Sequence, residues 1–169
     1  LWAARFYKTR SLAARAIGAV NTLILERDEI IGHNTDAGGF MRDLREHGVQ
    51  PEGCKALVLG AGGAARAVVY ALVSVGAQVT LLNRTASRAQ ALAAEFAPLA
   101  AGEPLQAGEL TPFALARHAA SAQLVVNTTP IGMWPQVAAS PWPAEVPFPP
   151  EAFCYDLIYN PRETRLMAQ

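Results

Sequence analysis

Lys55-Ala56-Leu57-Val58-Leu59-Gly60-Ala61-Gly62-Gly63-Ala64-Ala65-Arg66-Ala67-Val68 is the stretch on which the fold turns. Ala56–Leu59 is a short unbroken apolar run, as expected of a strand covered on both faces. Gly60–Gly63 is a tight turn. Ala64–Val75 is an apolar helix, and Gly76 ends it. The same alternation continues towards the C-terminus, with a strand over Gln78–Leu82 and a helix over Ser87–Phe96. Further strands are predicted over Leu124–Asn127 and Phe153–Leu157. Strands separated by helices predict an α/β fold, a doubly wound parallel sheet. Ala97–Gly108 is small and polar and reads as a connection, with one short strand near Leu105. Pro130–Pro150 holds seven prolines, which exclude regular structure over most of its length. A loop of that length in a compact domain is often functional.

Towards the N-terminus the pattern differs. Leu1–Ile17 is alanine-rich with interspersed basic residues and predicts a helix or helical turns. Ala19–Leu25 and Glu29–Gly32 read as the strands of a hairpin turning at Asp28. Asp36–His47 fits a helix with Phe40, Met41 and Leu44 on one face and Gly48 as its stop.

Composition narrows the function. The chain has 169 residues, 51% of them hydrophobic, and 14 basic residues balance 14 acidic ones. That length suits one domain or slightly more. No long basic run offers a surface for nucleic acid or anionic membrane. No apolar run approaches the ~20 residues of a membrane span. Arg5, Lys8, Arg10 and Arg15 interrupt the first residues, so no signal peptide is expected. Cys54 and Cys154 are too few and too distant for a disulfide framework, and two reduced thiols fit a cytoplasmic protein. His33, His47 and His118 lack metal-ligand spacing, and no metal is expected. His47 reads as a helix C-terminal residue, His118 as a surface one. The first residue is Leu1 rather than methionine, which suggests a truncation point.

The turn Gly60-Ala61-Gly62-Gly63-Ala64-Ala65 has the spacing of a dinucleotide fingerprint, with Ala65 in the third small position. Gly60 permits the sharp exit from the strand. Gly62 lets the backbone approach a pyrophosphate. Ala65 lets helix and sheet pack closely. The helix N-terminus adds unpaired N–H groups and a partial positive charge. A strand-to-helix turn that merely needs glycine would share part of this pattern.

In the NAD form of this fingerprint, an acidic residue ends the second strand and binds the ribose 2′-hydroxyl. Here Asn83-Arg84-Thr85-Ala86-Ser87-Arg88 stands in that place, with no carboxylate. Arginine binds a 2′-phosphate through charge-assisted hydrogen bonds, which points to NADP. Thr85 is also suited to cap the helix that follows.

Four further segments carry a resemblance. They are Gly18-Ala19-Val20-Asn21-Thr22, Gly32-His33-Asn34-Thr35-Asp36, Asn127-Thr128-Thr129-Pro130-Ile131-Gly132-Met133, and Asp156-Leu157-Ile158-Tyr159-Asn160-Pro161 with Thr164 beyond. In this order, around the glycine loop and arginine turn, they make the chain resemble the shikimate dehydrogenase family over nearly its whole length. The resemblance implies NADPH-dependent reduction of 3-dehydroshikimate to shikimate in aromatic amino-acid biosynthesis. It implies that residues 1–36 are a remnant of a substrate-binding domain and its connection. Residues 37–169 would form an NADP-binding, Rossmann-like domain truncated at its C-terminus.

The resemblance also assigns roles. Asn21 and Asp36 would bind substrate hydroxyls, Asp36 beside a catalytic lysine, with Thr35 in support. Tyr159 would contact substrate, Met133 would lie near the nicotinamide, and Leu157 would touch the cofactor. Gly60, Ala61, Gly62, Gly63, Ala64, Asn83, Arg84, Thr85, Arg88 and Thr129 complete the implied NADP site. The residue types suit the chemistry, since hydride transfer to a ketone makes an alkoxide that needs a proton. Plainer readings stand beside these roles. Asn34 and Asp36 could form a turn and cap the next helix, and Asp36 is expected to do both. Tyr159 could be a core or rim aromatic. Asn21 sits in a strand with no evident structural need.

One departure limits the resemblance. The family's lysine falls at or before Leu1, and this sequence has only Lys8 and Lys55, neither in the matching motif. An upstream serine-bearing substrate motif and a C-terminal glutamine-bearing segment are also outside it. The expectation is a chain that binds NADP but has little or no dehydrogenase activity. A quinate/shikimate dehydrogenase using NAD would carry an acid in the arginine turn. Methylenetetrahydrofolate dehydrogenases and glutamyl-tRNA reductases share the nucleotide fold but not the segments around Asn21 and Asp36. A non-catalytic NADP-binding module and a homodimeric assembly both remain open.

Overall fold

A computed structural model describes residues 9–100 and 105–169. Strands β4 (Lys55–Leu59), β5 (Gln78–Asn83), β6 (Gln106–Glu109), β7 (Leu124–Asn127) and β8 (Phe153–Asp156) form one sheet in the order β6-β5-β4-β7-β8. Every neighbouring pair is parallel. Side chains alternate across β4, so each face of the sheet acquires its own core. Ala56 and Val58 pack with Val68 and Leu72 of helix α3 (Gly63–Ser74) and Leu92 and Phe96 of α4 (Ala86–Phe96). Leu57 and Leu59 pack on the other face with Leu82, Leu115, Val125 and Trp142. Helices therefore flank both faces, as the α/β pattern predicts.

The strand order reverses between β4 and β7. Loops leaving the C-terminal ends of those two strands border a crevice there, the place where open α/β sheets bind ligands.

The second face is covered in an unexpected way. Helix α5 (Pro112–Ala119) is absent from the sequence prediction, although Thr111 caps it with a 3.1 Å bond from Ala114 N–H and Pro112 opens it. The proline-rich loop completes the cover. Trp142 is buried in it, donating from Nε1 to Val146 O at 2.8 Å and packing on Phe148.

Ahead of this sheet, β1 (Thr9–Arg10), β2 (Thr22–Glu26) and β3 (Glu29–His33) form a small sheet in the order β1-β3-β2. Arg27 and Asp28 both have positive φ, 46° and 66°, as a two-residue hairpin turn matching strand twist requires. The helix or helical turns expected over Leu1–Ile17 are corrected at Thr9 and Arg10. Thr9 and Arg10 pair with Ile31 and Gly32, and helix α1 covers Leu12–Ile17 alone, capped by Ser11. Residues 1–8, with Lys8, lie outside the described residues. The first hairpin strand starts at Thr22 rather than Ala19. Helix α2 (Asp36–Glu46) buries Ala37, Phe40, Met41 and Leu44, and His47 is its C-cap.

Arg66 of α3 ties the small sheet's segment to the large one. Its Nε donates to Ile17 O, and its terminal nitrogens hold both carboxylate oxygens of Glu95, one at 2.8 Å. The guanidinium lies 5.6 Å from the Phe96 ring centre. Gly18, at φ 73°, ends α1 against it, and a Cβ there would lie 2.6 Å from Nη2. Arg66→Met keeps the stem and removes these bonds, so it is expected to destabilise the chain by about 2 kcal/mol. Thermal melting checks this, and an unchanged midpoint refutes it. Hydrogen bonds from Arg66 hold the Glu95 carboxyl below its ordinary value. The pair's contribution is thus present at neutral pH and is lost as pH falls through that lowered value. It is small, because Glu95 is half exposed.

Candidate functional site

The loop after β4 starts with Gly60, whose N–H donates to Leu82 O at 2.8 Å and whose φ is 105°. A Cβ at Gly60 would lie 2.6 Å from Thr128 Oγ1 and 3.0 Å from Thr129 Cγ2. Thr128 returns the contact, bonding Leu59 O from both its N–H (2.9 Å) and its hydroxyl (2.7 Å). The two loops at the switch point are therefore laced together. Gly62 is the N-cap of α3, with no side chain capping the helix, and nothing lies within 4 Å of a Cβ placed at Gly62 or Gly63. The first N–H groups of α3 are left for a ligand.

Gly60, Ala61 and Gly62 form one wall of a cleft of about 290 Å³. Asn83, Arg84 and Arg88 form another, and Leu110 with Thr128–Ile131 closes it. Asn83 Nδ2 donates to Thr85 O at 2.9 Å and shapes the arginine turn. Arg84 and Arg88 are exposed, and among the described residues no carboxylate pairs with either. Thr85 sits at the N-cap of α4 but its hydroxyl makes no capping bond, contrary to the expectation. The cleft thus gathers Gly60, Ala61, Gly62, Asn83, Arg84, Arg88 and Thr129. Gly63, Ala64, Thr85, Met133 and Leu157 stand outside its lining. Leu110, Thr128, Pro130 and Ile131 line it without having been anticipated. Their signal is positional, since each follows the C-terminal end of a predicted strand.

Thr129 is held from behind. Asn127, fully buried, accepts from Thr129 N–H at 3.0 Å and from its hydroxyl at 2.7 Å. Leu157 is half-buried and donates its N–H to Asn127 O at 3.1 Å. Met133 is 40% exposed and Tyr159 88% exposed, so Tyr159 is no core aromatic. Trp134 N–H donates to Asn160 O at 3.0 Å, joining the two loops that carry Met133 and Tyr159.

Two of the residues implied for substrate, Asn21 and Asp36, lie at the open end of the hairpin. Asn21 precedes β2 instead of lying within it, and it does have a structural task. Its Oδ1 accepts from Thr22 Oγ1 (2.9 Å), Thr35 N–H (3.0 Å) and Thr35 Oγ1 (3.3 Å). Its Nδ2 has no partner among the described residues and stays a free donor. Thr35, not Asp36, is the N-cap of α2. Asp36 is the first helical residue, its N–H donating to Asn34 Oδ1 at 3.1 Å in a local turn. The expectation that Asp36 caps the helix is corrected, and its exposed carboxylate is unbonded among the described residues. Lys55 lies at the start of β4, the opposite end from Gly60.

The other titratable groups stand apart. The Cys54 and Cys154 thiols are free and pushed up to about 11, chiefly by burial. Both are neutral at physiological pH. His118 is half-buried, and burial lowers its pKa, with Arg117 adding to the effect. Among the described residues no His, Cys, Asp and Glu group is placed to hold a metal, and no helix is long and apolar enough to cross a membrane.

Comparison with known proteins adds to this geometry. The family model described as shikimate / quinate 5-dehydrogenase matches residues 44–129. The chain is 45% identical over 158 residues to the shikimate dehydrogenase (NADP(+)) of Moorella thermoacetica, covering 93% of this chain and 52% of that protein. It superposes with a TM-score of 0.82 and 40% identity on shikimate 5-dehydrogenase of Thermus thermophilus, solved with NADP(H) and shikimate, covering 99% of this chain and 58% of that one. With the Listeria monocytogenes enzyme, solved with shikimate and NAD, the TM-score is 0.88 at 28% identity, covering 98% and 59%. The chain spans about half the length of the curated relatives it matches.

Proposed function

The chain belongs to the shikimate/quinate 5-dehydrogenase family, and from that membership we propose that its protein reduces 3-dehydroshikimate to shikimate with NADPH. The reading makes it a cytoplasmic enzyme of aromatic amino-acid synthesis acting on a small polyol acid. The observation that carries it is the cleft in which an uncapped glycine loop faces two unpaired guanidiniums. That donor set fits NADP. The space open beside Gly62 admits a pyrophosphate against the α3 N–H groups, and Arg84 and Arg88 bind the 2′-phosphate. When bound, NADPH supplies the hydride.

The chain's own residues bind and orient. Gly60, Ala61, Gly62, Gly63 and Ala64 present backbone to the phosphates. Asn83 and Thr85 shape the arginine turn, and Thr129, Met133 and Leu157 continue the cofactor surface. Asn21 donates from Nδ2 to a substrate hydroxyl, Asp36 accepts from one, and Tyr159 closes the substrate side. Residues 1–36 are a remnant of the substrate-binding domain, and residues 37–169 are the cofactor domain, which lends Tyr159 to the substrate. The reacting oxygen needs a proton, and the family's lysine donor beside the aspartate is matched by neither Lys8 nor Lys55. The 169 residues alone are therefore expected to bind NADPH without turnover. Stopped assays of NADPH oxidation with 3-dehydroshikimate test this on the chain and on a version extended upstream. Comparable turnover in both would sink the assignment of proton delivery to the missing lysine.

A further inference from the structure

Asn127, Asp156 and Thr164 do not line the cleft, yet they form one hydrogen-bonded chain beneath it. Asn127 and Asp156 end adjacent parallel strands and are register partners. Asn127 Nδ2 donates to Asp156 Oδ1 at 3.0 Å. The same oxygen accepts from Ile158 N–H at 3.1 Å, and Oδ2 accepts from Thr164 Oγ1 at 2.7 Å. Thr164 is 1% exposed and accepts in turn from Met167 N–H at 3.3 Å.

The direction of these bonds is informative. An ionised carboxylate only accepts, so Asp156 forces Asn127 to turn its NH₂ inwards and its oxygen towards Thr129. With its proton given to Asn127, the Thr129 hydroxyl accepts from Ile131 N–H at 3.2 Å. Thr129 and Ile131 are cleft wall. Ile158, bonded to the same carboxylate, sits between Leu157 and Tyr159. A half-buried carboxylate with three donors and, among the described residues, no cation is a costly way merely to fill space.

We propose that Asp156 is a positioning residue whose carboxylate, through Asn127, sets the Thr129–Ile131 wall of the cofactor cleft and, through Ile158 and Thr164, the turn carrying Leu157 and Tyr159. The proposal rests on the cofactor reading above. Its test is the NADPH affinity of the 169-residue chain at pH 8. N127D keeps the shape but sets a carboxylate oxygen against Asp156, and is expected to weaken NADPH roughly tenfold. If N127D does not fold, T164V and T164S decide. T164V, remote from the cleft, removes one donor and weakens NADPH several-fold, and T164S restores it. N127D binding as the unaltered chain does overturns the proposal. So does T164V binding unchanged. Failure of the unaltered chain to bind NADPH overturns the cofactor reading and the proposal together, whereas binding there with indifferent variants overturns the proposal alone.

Discussion

Changing Arg84 and Arg88 together to alanine is expected to weaken NADPH binding about a hundredfold while leaving NADH within about threefold. Each charge-assisted bond to a phosphate is worth about 1.5–3 kcal/mol, and two shared between the guanidiniums give a loss of this size. NADH has no 2′-phosphate, so it loses none of this. Both side chains are exposed and unpaired among the described residues, so their removal strips no internal ion pair and the fold should be unaffected. The same exposure makes the effect salt-sensitive, so it should shrink between low and physiological ionic strength. Competition by 2′,5′-ADP isolates the adenosine half of the cofactor and should show the full loss. If NADPH and NADH weaken equally, the arginines serve the general charge of the cleft and the NADP preference lies elsewhere.

The sequence showed the large sheet and the phosphate loop clearly, for a physical reason. Parallel strands buried on both faces read as apolar runs, and Gly60 and Gly62 stand where backbone geometry and ligand approach exclude a side chain. Local alternation and spacing therefore carry both. What escaped depends on contacts distant in sequence. Thr9–Arg10 reads as helix by composition and becomes a strand because β3 offers it partners. Asn21 shows no structural need until Thr35, brought back by the hairpin, donates two bonds to it. Thr85 has the right residue type for a cap but not the bond. Trp142 lies in a proline-rich loop whose composition excludes regular structure and marks no core residue, yet it seals the second core. The α5 helix is a different kind of miss, since the Thr111–Pro112 start signal was local.

Gly60→Ala and Gly62→Ala are expected to fail in opposite ways, and the contrast tests the cleft most sharply. At Gly60 the backbone has φ 105°, and a methyl would meet Thr128 Oγ1 at 2.6 Å. Strain of that kind costs about 1–3 kcal/mol before the clash is counted. The clash falls on a hydroxyl fixed to Leu59 O, so relief requires breaking the lacing between β4 and β7. Gly60→Ala should therefore lower the melting temperature markedly, with NADPH binding lost as a consequence. At Gly62 the φ is −96° and no atom lies within 4 Å of the added methyl. The free chain should melt within a few degrees of the original, since the change at an N-cap costs about 1 kcal/mol or less. NADPH should nonetheless weaken by about a hundredfold, because the methyl fills the space the pyrophosphate needs to reach the α3 N–H groups. Binding at full strength in a stable Gly62→Ala variant would mean that the phosphates do not cross this loop. An unaltered melting temperature for Gly60→Ala would mean that the turn relaxes freely, and that the lacing of Thr128 to Leu59 does not hold the two cleft walls in register.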